Sequence, residues 1–416
     1  MTLRKQLTVL MLVILLVGVI TACAGGSNNG SSSGQSGASG SAAGSAAGKS
    51  DTSSGKKDIT LQIAIWGNEN YKNNVQALAD KFTEKHPNIK VEVLLIPLAE
   101  YQQKISIMIA SKTAPDLMWI SQRHLLQFME AGHFEDISAV RDDPEYDFMD
   151  HMQNGFYPLQ KDGKLYGVPF TNPPKVLFFN KTMFKEKGLK TPLELYEEGN
   201  WTYDEFLKAA QALTDKSTGT YGAYLITTNG WKLWYDAILD TIWAFGAEFM
   251  NEDGTKFLLN SPEGEQALQY YMDLIFKYEV HPKPGDQITF ESGKIGMSRQ
   301  NYGYANSLRS NNVDFEWDVA PMPKGPKEDA AVADGVAAYA MLKDSEHKEE
   351  ALELLKHMTS KEGMTEMAKL FVPNRLSVLE SGVMTEGYDF PTQEGIKAAI
   401  IEEETRPNLM HKDLQE

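Results

Sequence analysis

Apolar and polar positions alternate from Ile59 onward, with Ile59, Leu61, Ile63 and Ile65 set against Thr60, Gln62 and Ala64. A period of two predicts a strand, ended by Trp66 and Gly67. Val75, Leu78, Ala79 and Phe82 then recur at helical spacing, and His86-Pro87 stops that helix. Ile89 to Ile96 reads as a second strand. Tyr101, Ile105, Met108 and Ile109 line one face of a second helix. Leu117 to Ile120 reads as a third strand, and Leu125, Phe128 and Met129 as a third helix closed by Gly132. Strands alternating with helices predict right-handed crossovers and a mostly parallel sheet with helices on both faces.

From Lys164 the period changes. Leu165 to Val168 and Val176 to Phe179 read as short strands around Pro169, Pro173 and Pro174, a stiff crossing segment. A more helical region follows. Thr202 and Glu205 fit a capping box, with Tyr203, Phe206, Leu207, Ala210 and Leu213 as the buried stripe. Asn251 to Gly254 reads as a hairpin turn. Ser261 and Pro262 open a helix with Leu268, Tyr271, Met272 and Ile275 turned inward. Ile295 to Ser298, Trp317 to Ala320 and Ala337 to Leu342 read as strands, and Ala351, Leu354, Leu355 and Met358 as the core stripe of a late helix. The fold class this implies is α/β.

The first 57 residues follow another pattern. Arg4 and Lys5 precede an apolar run from Leu7 to Ile20, shorter than the roughly 20 residues that span a bilayer. It reads as a signal peptide over residues 1–22. Ile20-Thr21-Ala22-Cys23 looks like a bacterial lipobox, which implies a lipid on Cys23. Cys23 is the only cysteine, so an internal disulfide is excluded. From Ala24 to Gly48 only Asn28, Asn29 and Gln35 are not Gly, Ser or Ala, so 23–57 reads as a disordered tether. As a flexible coil it spans about 30–35 Å. The net charge of −17 disfavours nucleic acid as a partner.

Several stretches together resemble family 1 of the bacterial extracellular solute-binding proteins, the group of maltose-binding protein. They are Pro115-Asp116-Leu117, Phe179-Asn180-Lys181-Thr182-Met183-Phe184 with Gly188-Leu189, Trp201 to Phe206, Phe290 to Met297, and Trp317-Asp318-Val319-Ala320-Pro321-Met322-Pro323. Their order and spacing agree over about residues 58–380, and Gly296 stands where the family usually has Ala. The family usually adds helices beyond the position of Pro407, where this sequence has a polar tail. The resemblance implies a two-lobed periplasmic-binding-protein type II fold with a multi-strand hinge and a ligand in the cleft. It divides the chain into one lobe of 58–168 plus about 285–340 and another of about 169–284 plus 341–416. It implies a monomer, lipid-anchored on the outer face of the cytoplasmic membrane, that delivers a mono- or oligosaccharide to ABC permease subunits. No metal or other cofactor is implied.

Sugar rings offer apolar faces and a rim of hydroxyls, so aromatics and Asn or Asp at strand ends are the candidates. Trp66 and Asn68 follow the first strand, although Trp66 also suits a core position. Ser121 and Gln122 follow the third strand, where plain loop residues are equally at home. Asp116 opens that strand and is partly structural. Trp231 and Trp234 stand beside a loop at Gly230, Trp234 also fitting a helical core. Asn301, Tyr302 and Tyr304 flank Gly303. Asp334 precedes the last hinge strand, and Arg375 follows Val372-Pro373-Asn374. Trp201 and Trp317 belong to the core.

Catalytic motifs find little footing. The eight histidines form no His-Glu-x-x-His pair, and no Gly-x-Ser-x-Gly elbow joins a predicted strand to a helix. Two readings stay beside the sugar: a binder of another solute, such as a polyamine or peptide, and a surface-anchored glycan hydrolase, which needs only two carboxylates.

Overall fold

The computed structural model describes residues 57–227, 234–251, 255–327, 332–402 and 405–407. The N-terminal half opens with β1 (Ile59–Trp66), α1 (Glu69–Lys85), β2 (Ile89–Ile96), α2 (Leu98–Ala110), β3 (Leu117–Ser121) and α3 (Gln122–Glu130). Next come β4 (Val168–Thr171), β5 (Lys175–Asn180), α4 (Tyr203–Leu213), β6 (Tyr221–Tyr224), α5 (Trp234–Ala244) and α6 (Pro262–Met272). The chain then forms β7 (Ile295–Asn301), α7 (Tyr304–Ser310), β8 (Trp317–Ala320), β9 (Ala337–Met341), α8 (Lys348–Met358) and α9 (Lys361–Met367).

Two main sheets result. The first has the order β2-β1-β3-β9-β4 and the second β8-β5-β7-β6. In the first, β1 is parallel to β2 and to β3, as the strand–helix alternation predicts. The returning β9 is antiparallel to β3 and β4. In the second, β5 is antiparallel to β7 and β8, and β6 is parallel to β7.

The second sheet shows the two-faced logic of a central strand. Val176 and Phe178 of β5 face the cluster shared with Trp317, Phe290 and Ile396. Leu177 and Phe179 face a separate cluster with Phe206, Leu213, Ile242 and Tyr271 of α4, α5 and α6. Successive side chains of a strand point to opposite faces, so one apolar run serves both layers.

Strand pairing corrects the expected division of the returning chain. β7 and β8 hydrogen-bond to β5, so 295–301 and 317–320 belong to the second sheet rather than the first. β9 completes the first sheet, and α8 and α9 bury Leu354, Leu355 and Met364 in the cluster that holds Leu61 and Phe82 of β1 and α1. Residues 392–401 return to the second sheet, where Thr392 donates its backbone N–H (3.0 Å) and its hydroxyl (2.8 Å) to Asp318 of β8. The chain therefore passes between the sheets at 172–174, between β8 and β9, and between α9 and Thr392.

Local signals held with three adjustments, the first being that Met272, expected to turn inward on α6, is exposed. Thr202 caps α4 by accepting the Glu205 N–H at 3.3 Å, but Glu205 pairs with Lys208 instead of closing a box. The complete capping box is Thr191 with Glu194, ahead of the short helix Pro192–Glu197. The strand expected at 165–168 forms as Lys164–Leu165 and Val168–Thr171. Gly167 divides them where the chain passes the Tyr339 carbonyl so closely that a Cβ would sit 3.0 Å from it.

Candidate functional site

A cleft of about 630 Å³ opens at the carboxyl ends of strands from both sheets. From the first sheet it takes Asn68, Asn70 and Tyr71 just beyond β1, and Thr171 at the end of β4 with Pro173. From the second it takes Asn301 at the end of β7, then Gly303, Asn306, Ser307, Arg309, Ser310 and Asn311 on and after α7. Leu370, Phe371, Val372 and Tyr388, from segments that link the two, complete the wall. Strand ends of open α/β sheets are where ligands bind, because loops diverge there.

Each wall has a built aromatic surface. Asn68 caps α1 by accepting the Tyr71 N–H at 3.0 Å, which places Tyr71 on the first turn facing the cleft. Gly67 makes this possible: at φ 123°, a side chain there would collide with the Tyr71 ring. Tyr71 meets Phe371 edge-on at 4.9 Å, and Phe371 leans on Trp119 (5.6 Å) and Phe170 (5.4 Å). Burial raises the Tyr71 phenol above its usual range, so it stays neutral and able to donate. On the far wall, the Arg309 guanidinium lies 3.9 Å from the centre of the Tyr388 ring. Its Nε donates to the Phe390 carbonyl (3.2 Å) and an Nη to the Met384 carbonyl (3.1 Å), fixing the segment that carries Tyr388.

Phe371 is held from behind. Thr171 and Pro373 form an antiparallel bridge, and the Met152 N–H donates to the Asn374 carbonyl at 2.8 Å. Arg375 is buried, donating to the carbonyls of Thr359 (2.9 Å) and Tyr146 (2.7 Å) and to the Asp150 carboxylate (3.0 Å). It anchors the wall segment and does not line the cleft.

The cleft gathers Asn68 and Asn301 from the sequence candidates. Trp66 packs with Tyr101 (5.2 Å) and Trp119 (5.3 Å), behind the Tyr71 wall. Asp116 sits at the opposite end of the sheet, where one carboxylate oxygen accepts the Gln62 N–H (2.8 Å) and the other the Ser345 hydroxyl (2.6 Å). Ser121 pairs through its backbone with Ala337 of β9, and the Gln122 amide oxygen accepts the Val336 N–H at 2.9 Å. Tyr302 is buried in the core, where desolvation pushes its phenol up to about 12. Tyr304 donates to Glu291 and meets Phe178 edge-on at 5.4 Å, away from the cleft. Trp231 and Cys23 lie outside the described residues, as do the side chains of Trp234 and Asp334. Among the described residues no group of three His, Cys, Asp or Glu is arranged to hold a metal ion.

Tyr71, Phe371, Arg309 and Tyr388 went unread in the sequence. Tyr71 carried a signal, an aromatic three positions after an N-cap that follows a strand. The Arg309–Tyr388 stack joins residues 79 positions apart, and no local pattern announces it.

Comparison with known proteins agrees with this architecture. A binding protein of Brucella abortus is 26% identical over 289 residues, 68% of this chain and 67% of that one. An ABC substrate-binding protein of Listeria monocytogenes, solved in complex with cycloalternan, superposes with a TM-score of 0.69 at 21% identity, covering 85% of this chain and 89% of that one. The cyclic α-maltosyl-1,6-maltose binding protein of Arthrobacter globiformis superposes with a TM-score of 0.69 at 21% identity, covering 86% and 90%. The fold is thus the two-lobed type II periplasmic-binding-protein fold. The family model of the bacterial extracellular solute-binding proteins matches residues 67–365, so a cleft between two sheets, walled by rings and amides, belongs here to a member of that family.

Proposed function

We propose that the chain is the ligand-binding component of an ABC importer, capturing a mono- or oligosaccharide in the cleft and presenting it to membrane permease subunits. The observation that carries this reading is the cleft wall. Tyr71, Phe371 and Tyr388 offer ring surface to the apolar faces of a sugar. Asn68, Asn70, Asn301, Asn306 and Asn311 offer amides, each both donor and acceptor, to its hydroxyls. Family membership supports binding over chemistry, and the solved proteins of like fold include one in complex with cycloalternan and a cyclic α-maltosyl-1,6-maltose binding protein. None of the described lining residues is a carboxylate, which a polyamine or a glycosidase mechanism would require.

In this reading the first lobe is built on the β2-β1-β3-β9-β4 sheet with α8 and α9, and the second on β8-β5-β7-β6. The described segments that join the two sheets, 172–174, 321–327, 332–336 and 368–391, serve as the hinge. The protein works as a monomer held by a lipid on Cys23 at the outer face of the cytoplasmic membrane, with 24–57 as its tether. Two acyl chains on one cysteine suffice for stable attachment, and the tether raises the local concentration at the permease.

A thermal-shift screen of the full chain against mono- and oligosaccharides, polyamines and peptides tests the proposal. The expected result is a saturable rise in Tm with one group of sugars and no release of reducing ends. A rise with a polyamine or peptide alone, or cleavage of a sugar, would overturn it. For the anchor, Cys23→Ser is expected to release the protein from the membrane fraction; retention of the variant there would refute lipidation.

A further inference from the structure

Resting on the sugar-binding reading, we propose that the ligand carries an anionic group, as a uronate or phosphorylated sugar does, and that Arg309 selects for it. Among the described residues lining the cleft, Arg309 is the one charged side chain. It makes no ion pair among them: its hydrogen bonds run to the neutral carbonyls of Met384 and Phe390, the buried Tyr302 phenol stands beside it, and its flat face lies on Tyr388. A guanidinium has five N–H donors in a planar fork. Two are spent on those carbonyls, which leaves an edge for a further acceptor.

The setting makes the charge matter. A solvent-swept arginine is screened within a Debye length, but a cleft of low-dielectric walls concentrates its field. The guanidinium is also held at three points, two carbonyls and one ring, so little side-chain entropy is lost when an anion docks. Asn306 and Asn311, on the same wall, can hydrogen-bond the neighbouring hydroxyls of a ring whose carboxylate or phosphate meets Arg309. A neutral sugar gives the same arginine a hydroxyl to donate to but no opposite charge to meet. With a net charge of −17, the rest of the molecule gives an anion no general attraction, so any preference for acidic sugars must arise locally.

The test is calorimetric titration of the full chain with matched probes: neutral glucose beside glucose 6-phosphate, and neutral galactose oligomers beside galacturonate oligomers. The expected result is tighter binding of an anionic probe than of its neutral counterpart, with an affinity that falls as salt rises. Galacturonate oligomers binding best would make the anion a carboxylate, and glucose 6-phosphate binding best would make it a phosphate. Arg309→Gln is expected to weaken the anionic probe roughly 10- to 100-fold and the neutral one little. Arg309→Lys, which keeps the charge, is expected to recover part of the loss and guards against a variant that merely loosens the Tyr388 segment. Neutral sugars binding as tightly as acidic ones, in a salt-independent way, would overturn the inference while leaving the sugar reading intact. Failure of every sugar, acidic or neutral, would overturn both.

Discussion

Tyr388 rests one ring face near Arg309 and keeps 50% of its surface exposed, which leaves ring surface in the cleft for a ligand to cover. Tyr388→Ala is expected to weaken sugar binding by roughly tenfold or more, since a buried aromatic contributes on the order of 1–3 kcal/mol. The melting temperature without ligand should barely move, and calorimetry with a parallel thermal melt checks both. Asp116 is the converse case, tied to Gln62 and Ser345 far from the cleft. Asp116→Ala is expected to cost about 1.5–3 kcal/mol of stability and to leave ligand affinity unchanged, as urea unfolding and titration would show. Buried histidines set a pH dependence. His281 accepts the Ile226 N–H at Nε2 (3.1 Å) and bonds the Pro282 carbonyl through Nδ1 (2.7 Å), an arrangement that needs the neutral ring. Desolvation lowers its pKa from 6.5 to about 4. His151, buried and beside Arg375, is lowered to about 3. The unfolded chain takes up these protons first, so stability is full above pH 6.5 and falls as pH drops toward 4, by about 3 kcal/mol for His281 alone. Urea midpoints at pH 7.5, 6 and 5 should decline, and less steeply in His281→Asn; identical slopes would contradict the assignment.

Elements were legible where their signal was local. The period-two run at Ile59, the helical stripe ending at His86 and the Ser261-Pro262 start are all read correctly because each depends on neighbours within a few residues. What could not be read was partnership. Val176 to Phe179 is apolar throughout, and nothing in it says that β7 and β8 flank it while β9 goes elsewhere. Which sheet each returning strand joins was unreadable for that reason. Little of the cleft was legible for a related one: Asn68 and Asn301 lie at strand ends, whereas Phe371 and Tyr388 reach the cleft from segments without a periodic pattern. Packing between elements also sets narrow tolerances. Gly222 of β6 lies so close to the α4 backbone that a Cβ would overlap the Ala210 carbonyl. Gly222→Ala is therefore expected to cost about 1–3 kcal/mol, seen as a lower urea midpoint with an unchanged slope.

At the scale of the whole molecule, the proposed function would couple ligand capture to shape. Its walls come from both sheets, so a ligand touching both is bound more tightly when they approach. Driving a population from 1:99 to 99:1 takes about 5.5 kcal/mol of differential affinity, and a micromolar ligand supplies about 8.2 kcal/mol. Small-angle scattering of the full chain is expected to show compaction on addition of the ligand, and an unchanged profile at saturation would remove closure from the mechanism. The most direct test of the central claim, a sugar held between the Tyr71–Phe371 and Arg309–Tyr388 walls, is a calorimetric titration of the wild-type chain and of Tyr71→Ala and Tyr388→Ala with the sugar that raises Tm most. The account predicts one sugar per chain and roughly tenfold weaker binding in each variant; a sugar bound equally well by all three would place its site outside this cleft.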